Sequence, residues 1–349
     1  MQSFKIGSKT VGQKAKCFVI GEVALAHDGS LGAAHAFIDV IADAGADAVK
    51  FQMHIAEAEG TTEEKFRVKI FPQDATRQDY WRRTSFTEEQ WRGLKEHTDK
   101  RELIFLSSPF SVEALYLLLK IGVAAWKVGS GETSNLPLLE AIADTKLPVL
   151  LSTGMSTWKE VDEAVYFFKS KKTPLLLYQC TNRYPCPPEH LGLNIIAEYQ
   201  KRYEIPVGLS DHSGKVCAGI AAHALGACSL EVHVTFHRKC FGPDVPASLT
   251  PEELKELVDS IRFLERAYTN PVNKEKEAAD LENVRALFMK SIVPSRDLSK
   301  GSVLQASDLS YKKPAKGIPA KDYTQLIGKK IKRDIQKDKF LSWEDIEET

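Results

Sequence analysis

At 349 residues the chain is too long for one small core and suits a large barrel or sandwich with a minor second domain. Lys plus Arg and Asp plus Glu number 47 each, so the formal charge is zero, and no single-sign run marks a nucleic-acid tail or a polybasic membrane anchor. The longest apolar runs are far shorter than the roughly 20 residues needed to cross a bilayer, and the N-terminus has no export signal. The expectation is a cytoplasmic protein with small-molecule partners, no nucleic acid and no membrane.

Short runs rich in Val, Ile, Leu and Phe alternate with amphipathic stretches of helical period. In chain order the pattern predicts strand 17–23 and helix 31–44, strand 48–53 and helix 87–100, strand 103–107 and helix 112–121, then strand 125–128 and helix 136–144. It continues with strand 148–152 and helix 157–169, strand 174–179 and helix 193–202, strand 206–209 and helix 216–225, and strand 228–233 and helix 251–267. Several strands are apolar throughout, as when both faces of a parallel sheet are covered. Eight βα units over about 250 residues is the size of a (β/α)8 TIM barrel, an α/β fold. Residues 269–283 are polar with no clear apolar period and read as a linker. The expected division is therefore a barrel at 1–268, that linker, and a small unit at 284–349. About 65 residues is marginal for an independent core, so this unit is expected to dock on its own barrel or on a partner's.

Polar side chains fall in a pattern. Glu22, Lys50, Gln52, Ser107, Ser108, Lys127, Ser130, Glu132, Ser152, Asn182, Ser210, His212, Glu231 and His233 lie in or just after the C-terminal halves of the predicted strands. That end forms the active-site mouth in a barrel of this type. Burying Lys50 or Lys127 without a partner would cost several kcal/mol, so both are read as functional. His212 and His233, at the tips of successive strands, are candidate ligands of a divalent metal with coordination positions left open. The two lysines, with Ser130, Ser152, Asn182 and Ser210, supply charge and donors that suit a phosphate-bearing anion. Glu22, Glu132 and Glu231 are candidates for orienting a ligating histidine or moving protons; for Glu231 a salt bridge to Lys127 or Lys50 is an equal alternative. Asp244, on a turn after the eighth strand, is either an acceptor for a polyol or a plain turn residue. Six cysteines form no CxxC pair, which fits reduced thiols, and Cys180 reads as a small buried hydrophobe.

Taken in order, Gly21-Glu22 with His27-Asp28-Gly29, Lys50-Phe51-Gln52, Ser107-Ser108-Pro109-Phe110, Lys127-Val128-Gly129-Ser130-Gly131-Glu132, Ser152-Thr153-Gly154-Met155, Asn182-Arg183-Tyr184-Pro185, Gly208-Leu209-Ser210-Asp211-His212, Glu231-Val232-His233 and Gly242-Pro243-Asp244 form a signature. It resembles the sialic acid synthase family, phosphoenolpyruvate-condensing enzymes that make nine-carbon 2-keto acids. The tail from Lys290 to Glu347 is similar to the small C-terminal SAF (β-clip, antifreeze-like) domain of those synthases. The resemblance implies that His212 and His233 bind Mn or Mg. It implies that Lys50, Ser108, Lys127, Ser130, Ser152, Asn182 and Ser210 hold phosphoenolpyruvate, while Glu22, Gln52, Tyr184 and Asp244 meet an N-acetylated aminosugar. Glu22, Lys50, Lys127, Glu132 and Glu231 are then the catalytic candidates. Lys313 stands where the SAF loop of the family carries an arginine reaching the sugar's acyl group.

The resemblance further implies a domain-swapped homodimer, the SAF domain of one subunit closing the barrel mouth of the other. The implied reaction is attack by C3 of phosphoenolpyruvate on the open-chain aldehyde, addition of water at C2, and loss of phosphate by C–O cleavage, with Glu132 or metal-bound water carrying the proton. N-acetylmannosamine, giving N-acetylneuraminate, is the first expected acceptor; a diacetamido-trideoxyhexose, giving legionaminate or pseudaminate, is the second. Two other classes compete. A lyase forming a Schiff base on Lys50 or Lys127 also places lysines in a barrel, whereas a non-catalytic carbohydrate binder has no use for two lysines and two histidines in one mouth.

Overall fold

The computed structural model describes residues 3–347. A short antiparallel hairpin, β1 (Phe4–Ile6) and β2 (Lys9–Val11), precedes eight strands: β3 (Phe18–Ala24), β4 (Ala48–Met53), β5 (Ile104–Pro109), β6 (Trp126–Val128), β7 (Val149–Ser152), β8 (Leu175–Cys180), β9 (Val207–Asp211) and β10 (Ser229–His233). Strands β3 to β10 pair in sequence order, and β10 closes on β3 in parallel register, so the predicted eight-stranded barrel is present. Several helices between strands begin where a side chain can accept from the first turn: Thr87 and Thr157 form capping boxes with Gln90 and Glu160. Their apolar stripes bury Trp91 and Leu94, or Val161 and Phe168, against the outward faces of the strands.

The period of two along each strand decides what fills the barrel. Phe18, Ile20, Ala48, Leu106, Ala125, Leu150, Leu176 and Tyr178 form an interior apolar cluster. Ile6 and Val11 of the hairpin complete it, plugging the N-terminal end. Two residues further along the strands the same inward positions turn polar: Glu22, Lys50, Ser108, Lys127, Ser152 and Cys180. Gly208 is inward too, and glycine is required there because a Cβ would meet Tyr178 Cε1 at 2.5 Å and the Ser229 carbonyl oxygen at 2.6 Å. The space it leaves is taken by the Tyr178 ring, whose hydroxyl lies 2.6 Å from Ser229 Oγ.

A unit ending at Thr269 and a unit beginning at Asn270 separate as compact bodies. In the second, β11 (Ser291–Pro294) pairs antiparallel with β12 (Leu309–Lys312). Ile292, Leu298, Leu304, Leu326, Ile331 and Leu341 lie in its apolar core. The stretch expected as an aperiodic linker carries helix Lys274–Asp280, and helix Glu282–Phe288 follows at once. Asn273 caps the first by accepting from the Glu275 and Lys276 N–H groups, and Glu275 and Glu277 suit its positive end. Neither helix buries a residue, and the first holds no apolar side chain larger than alanine, which is why that stretch shows no apolar period. Among the described residues no helix is long and apolar enough to cross a membrane.

Candidate active site

At the C-terminal end of the barrel the inward polar residues form one charge network. Lys50 Nζ lies 2.7 Å from Glu22 Oε1, 3.9 Å from Glu231 Oε2 and 3.3 Å from Ser108 Oγ. Lys127 Nζ lies 3.1 Å from Glu231 Oε1 and donates to Ser152 Oγ at 2.7 Å. Ser210 donates to Glu231 at 3.1 Å. The lysine side chains are only 3% and 4% exposed, so the partners that burial demands are in place. The register explains the meeting: Glu22 pairs with Lys50 across β3 and β4, and Ser210 with Glu231 across β9 and β10. Both salt bridges weighed for Glu231 are made.

Two cations and two carboxylates share this space unequally. Burial pushes Glu22 up to about 7 against the pull of Lys50. Burial also acts to raise Glu231, but Lys127 and Lys50 together outweigh it and keep that carboxylate ionised. For Lys50, burial opposes the charge and Glu22 with Glu231 overcomes it, so its pKa is raised. A lysine held charged in this way is the opposite of what a Schiff-base nucleophile needs. Glu22 Oε2 and Glu231 Oε2 are buried without a hydrogen-bond partner among the described residues, leaving acceptor capacity facing the cup.

His233 ends β10, two residues beyond Glu231, and His212 follows β9; their ring centroids are 5.3 Å apart. His212 Nδ1 donates to the Thr181 carbonyl oxygen, and its Nε2 lies 2.9 Å from the Tyr184 hydroxyl. The carbonyl fixes a hydrogen on Nδ1, the arrangement expected of a ligating imidazole, and the Nε2 position that a metal would use is met by the Tyr184 hydroxyl. Burial lowers His233 to about 4, so that ring is neutral. Burial acts to lower His212, but Cys180 first, with the Thr181 carbonyl and Asp211, raises it, so that ring must give up its proton to ligate. The two imidazoles, their centroids 5.3 Å apart, would then hold a divalent ion that completes its shell with water or substrate oxygen. No group of three His, Cys, Asp or Glu with that capacity occurs among the described residues. Cys180 is buried as expected. Burial raises its thiol, but His212 first and Lys127 after it bring it down to about 7.

A cavity of about 400 Å³ is lined by Gln52, Asn182, Tyr184, His233 and Asp244, five residues singled out in the sequence. Ser130 Oγ accepts from the Gly154 N–H at 2.9 Å. Glu132 lies in the turn after β6 with Oε2 accepting from Asn135 at 2.6 Å. Its pKa is raised, by burial first, and the neighbouring titratable group that acts on it is Glu59 rather than either lysine. Lys313 belongs to the second unit, its ammonium 4.7 Å over the Phe288 ring. The cavity also has walls that sequence reasoning missed. Arg67 pairs with Asp244 at 2.6 Å and stacks 4.0 Å over the Tyr184 ring, and His54, Glu59, Arg77 and Trp81 complete one side. They come from the segment between β4 and helix Glu88–Lys100, which has no apolar period. The one available signal was His54 itself, the next same-face position after Lys50 and Gln52.

The sequence pattern of the NeuB family matches residues 37–273, and that of the SAF domain matches 290–347. The chain is 32% identical to the N,N'-diacetyllegionaminic acid synthase of Campylobacter jejuni, over 93% of this chain and 99% of that one. It is 33% identical to the human N-acetylneuraminate-9-phosphate synthase, over 94% and 92% respectively. A crystal structure of N-acetylneuraminic acid synthetase from Leptospira borgpetersenii superposes with a TM-score of 0.71 at 32% identity, covering 81% of this chain and 96% of that one.

Proposed function

This chain belongs to the NeuB family, and from that premise we propose that it condenses phosphoenolpyruvate with an open-chain N-acetylated aminosugar to a nine-carbon 2-keto acid, releasing phosphate. The observation that carries the reading is the buried cup in which Lys50 and Lys127 share Glu231 beneath a cavity lined by Tyr184, His233 and Asp244. An anion with several oxygens competes with Glu231 for both ammonium groups, and Ser108, Ser130, Ser152, Asn182 and Ser210 add donors around it. The enol carbon, C3, is then held facing the cavity where the aldehyde of the acceptor sits. Bringing both reactants together in a near-attack geometry supplies much of the acceleration.

Lys50 and Lys127 stabilise the phosphate as C–O cleavage delivers negative charge to it. Glu22, with a pKa near neutrality beside Lys50, is the carboxyl that handles the proton of the water adding at C2; this role moves from Glu132, which stands outside the lysine network. His212 and His233 would hold a divalent Mn or Mg ion, whose contribution is Lewis-acid polarisation of the aldehyde oxygen. Asp244 and Tyr184 meet the sugar hydroxyls, and Lys313 of the C-terminal unit is assigned to the sugar as a contact made within a homodimer. N-acetylmannosamine is the first acceptor. A diacetamido-trideoxyhexose is the second, because the legionaminic acid synthase relative matches as closely as the N-acetylneuraminate-9-phosphate synthase.

The test is phosphate release from phosphoenolpyruvate with Mn and a panel of aminosugars. Release with N-acetylmannosamine, abolished by EDTA and indifferent to borohydride with pyruvate, is the expected result. Absence of release with every aminosugar, or inactivation by borohydride, overturns the reading.

A further inference from the structure

We infer that His54 and Glu59 are positioning residues that fix the side-chain amide of Gln52 as a hydrogen-bond donor toward the acceptor sugar; the inference rests on the sugar-condensing reading above. His54 follows Gln52 by two residues, so both side chains emerge on the same face at the end of β4. The imidazole is clamped on both sides. It stacks on Trp81 with centroids 3.8 Å apart and planes 4° apart, and on Phe110 at 4.4 Å and 11°. Only its edge is left to make directional contacts. On that edge Nδ1 lies 2.7 Å from Glu59 Oε2, and Nε2 lies 3.3 Å from Gln52 Oε1. All three residues line the 400 Å³ cavity together with Tyr184, His233 and Asp244.

For a neutral imidazole the donor count leaves one arrangement. A neutral imidazole has one N–H and one lone pair. Gln52 Oε1 can only accept, so Nε2 carries the hydrogen and Nδ1 is the acceptor. Glu59 must supply the second hydrogen, which requires a protonated carboxyl. Burial raises Glu59 to about 8 and lowers His54 to about 3, the directions that a contact between two neutral groups requires. The charged groups around the pair are Glu64 and Arg77, both acting on Glu59 and His54, Lys50 acting on His54, and Glu132, which feels Glu59. With the carbonyl end of Gln52 spent on His54, its NH2 is the end offered to a guest. It suits a hydroxyl or carbonyl oxygen of the aminosugar.

The chain of hydrogen bonds has a second state. When Glu59 ionises, its carboxylate accepts only, Nδ1 takes the hydrogen, Nε2 becomes an acceptor, and Gln52 must turn its amide so that its oxygen faces the cavity. The polarity offered to the sugar inverts.

Steady-state kinetics of the full chain with phosphoenolpyruvate, Mn and N-acetylmannosamine between pH 6.5 and 9 test this, with circular dichroism to establish folding. The sugar KM of the wild type is expected to rise about tenfold above pH 8 while the KM for phosphoenolpyruvate stays level, the size of one hydrogen bond at the upper end of its usual worth. Glu59→Leu, lacking the donor, is expected to show the high sugar KM at every pH. Glu59→Gln, whose amide donates regardless of pH, is expected to restore the low value and abolish the rise. His54→Phe keeps the aromatic stack but loses both hydrogen bonds and is expected to match Glu59→Leu. Folded Glu59→Leu and His54→Phe proteins with wild-type sugar KM overturn the inference, as does a parallel change in both KM values. If the wild type releases no phosphate with any aminosugar, the functional reading fails instead. The relay is then decided by ¹⁵N NMR of the His54 ring: a hydrogen on Nε2 at pH 7 that moves to Nδ1 above pH 8 supports it, and the reverse overturns it.

Discussion

Lys127 and Glu231 face each other at 3.1 Å with both side chains about 95% shielded from solvent, one from β6 and one from β10. A pair so placed is a burden for stability unless both members remain, because either alone is an uncompensated buried charge. Lys127→Met is therefore expected to lower unfolding free energy by about 3–5 kcal/mol. Lys127→Met with Glu231→Leu, which leaves Lys50 paired with Glu22, should recover most of that loss in denaturant melts. Neither protein is expected to release phosphate. A stable, inactive double variant separates the catalytic cost from the folding cost.

Glu22 makes stability fall with rising pH. Its carboxyl titrates at about 7 in the folded chain against 4.5 for the ordinary group. Between those values the folded state keeps a proton that the unfolded state has released, so stability declines as pH climbs through the window. Glu22→Gln removes that slope. The difference in stability between Glu22→Gln and wild type, measured by urea unfolding at pH 5 and pH 8, should shift in favour of the variant at pH 8; a shift the other way contradicts the assignment.

Gly208→Ala tests the packing beneath the site. The new Cβ would sit 2.6 Å from a backbone oxygen of β10, which cannot swing aside as a side chain can. Overpacking of this kind costs about 1–3 kcal/mol. A lowered midpoint in thermal melts is expected, and because Tyr178 lies directly below Cys180 on β8, activity should fall with it.

Removal of either imidazole should cost metal affinity before it costs the fold. Equilibrium dialysis with Mn is expected to show one site per chain in the wild type and none in His212→Ala or His233→Ala, with unchanged circular dichroism. Retained stoichiometric binding in both variants would place the ion elsewhere.

The barrel was legible because its cause is local. Strands covered on both faces read as apolar runs, and the polar residues at their ends stand out against them, which makes Lys50, Lys127, Glu231 and the two histidines legible in the sequence alone. The hairpin that plugs the barrel was not legible, since three-residue strands such as Phe4–Ile6 are too short to show alternation. Arg67, Glu59 and Trp81 were hidden for a different reason. Their segment holds only the short helices Ala56–Glu59 and Arg77–Thr84, and its position is set by contacts to Tyr184, Asp244 and His54 that are distant in sequence or made by side-chain stacking. Which carboxyl titrates near neutrality was equally invisible, because it depends on burial and on how two lysines divide between Glu22 and Glu231 in space.

The most direct measurement of the condensation uses phosphoenolpyruvate carrying ¹⁸O at the oxygen that bridges carbon and phosphorus, with N-acetylmannosamine and Mn. If the lysine cup draws phosphate away by breaking the C–O bond, the label appears in the released phosphate. Label retained in the nine-carbon product or in pyruvate contradicts it.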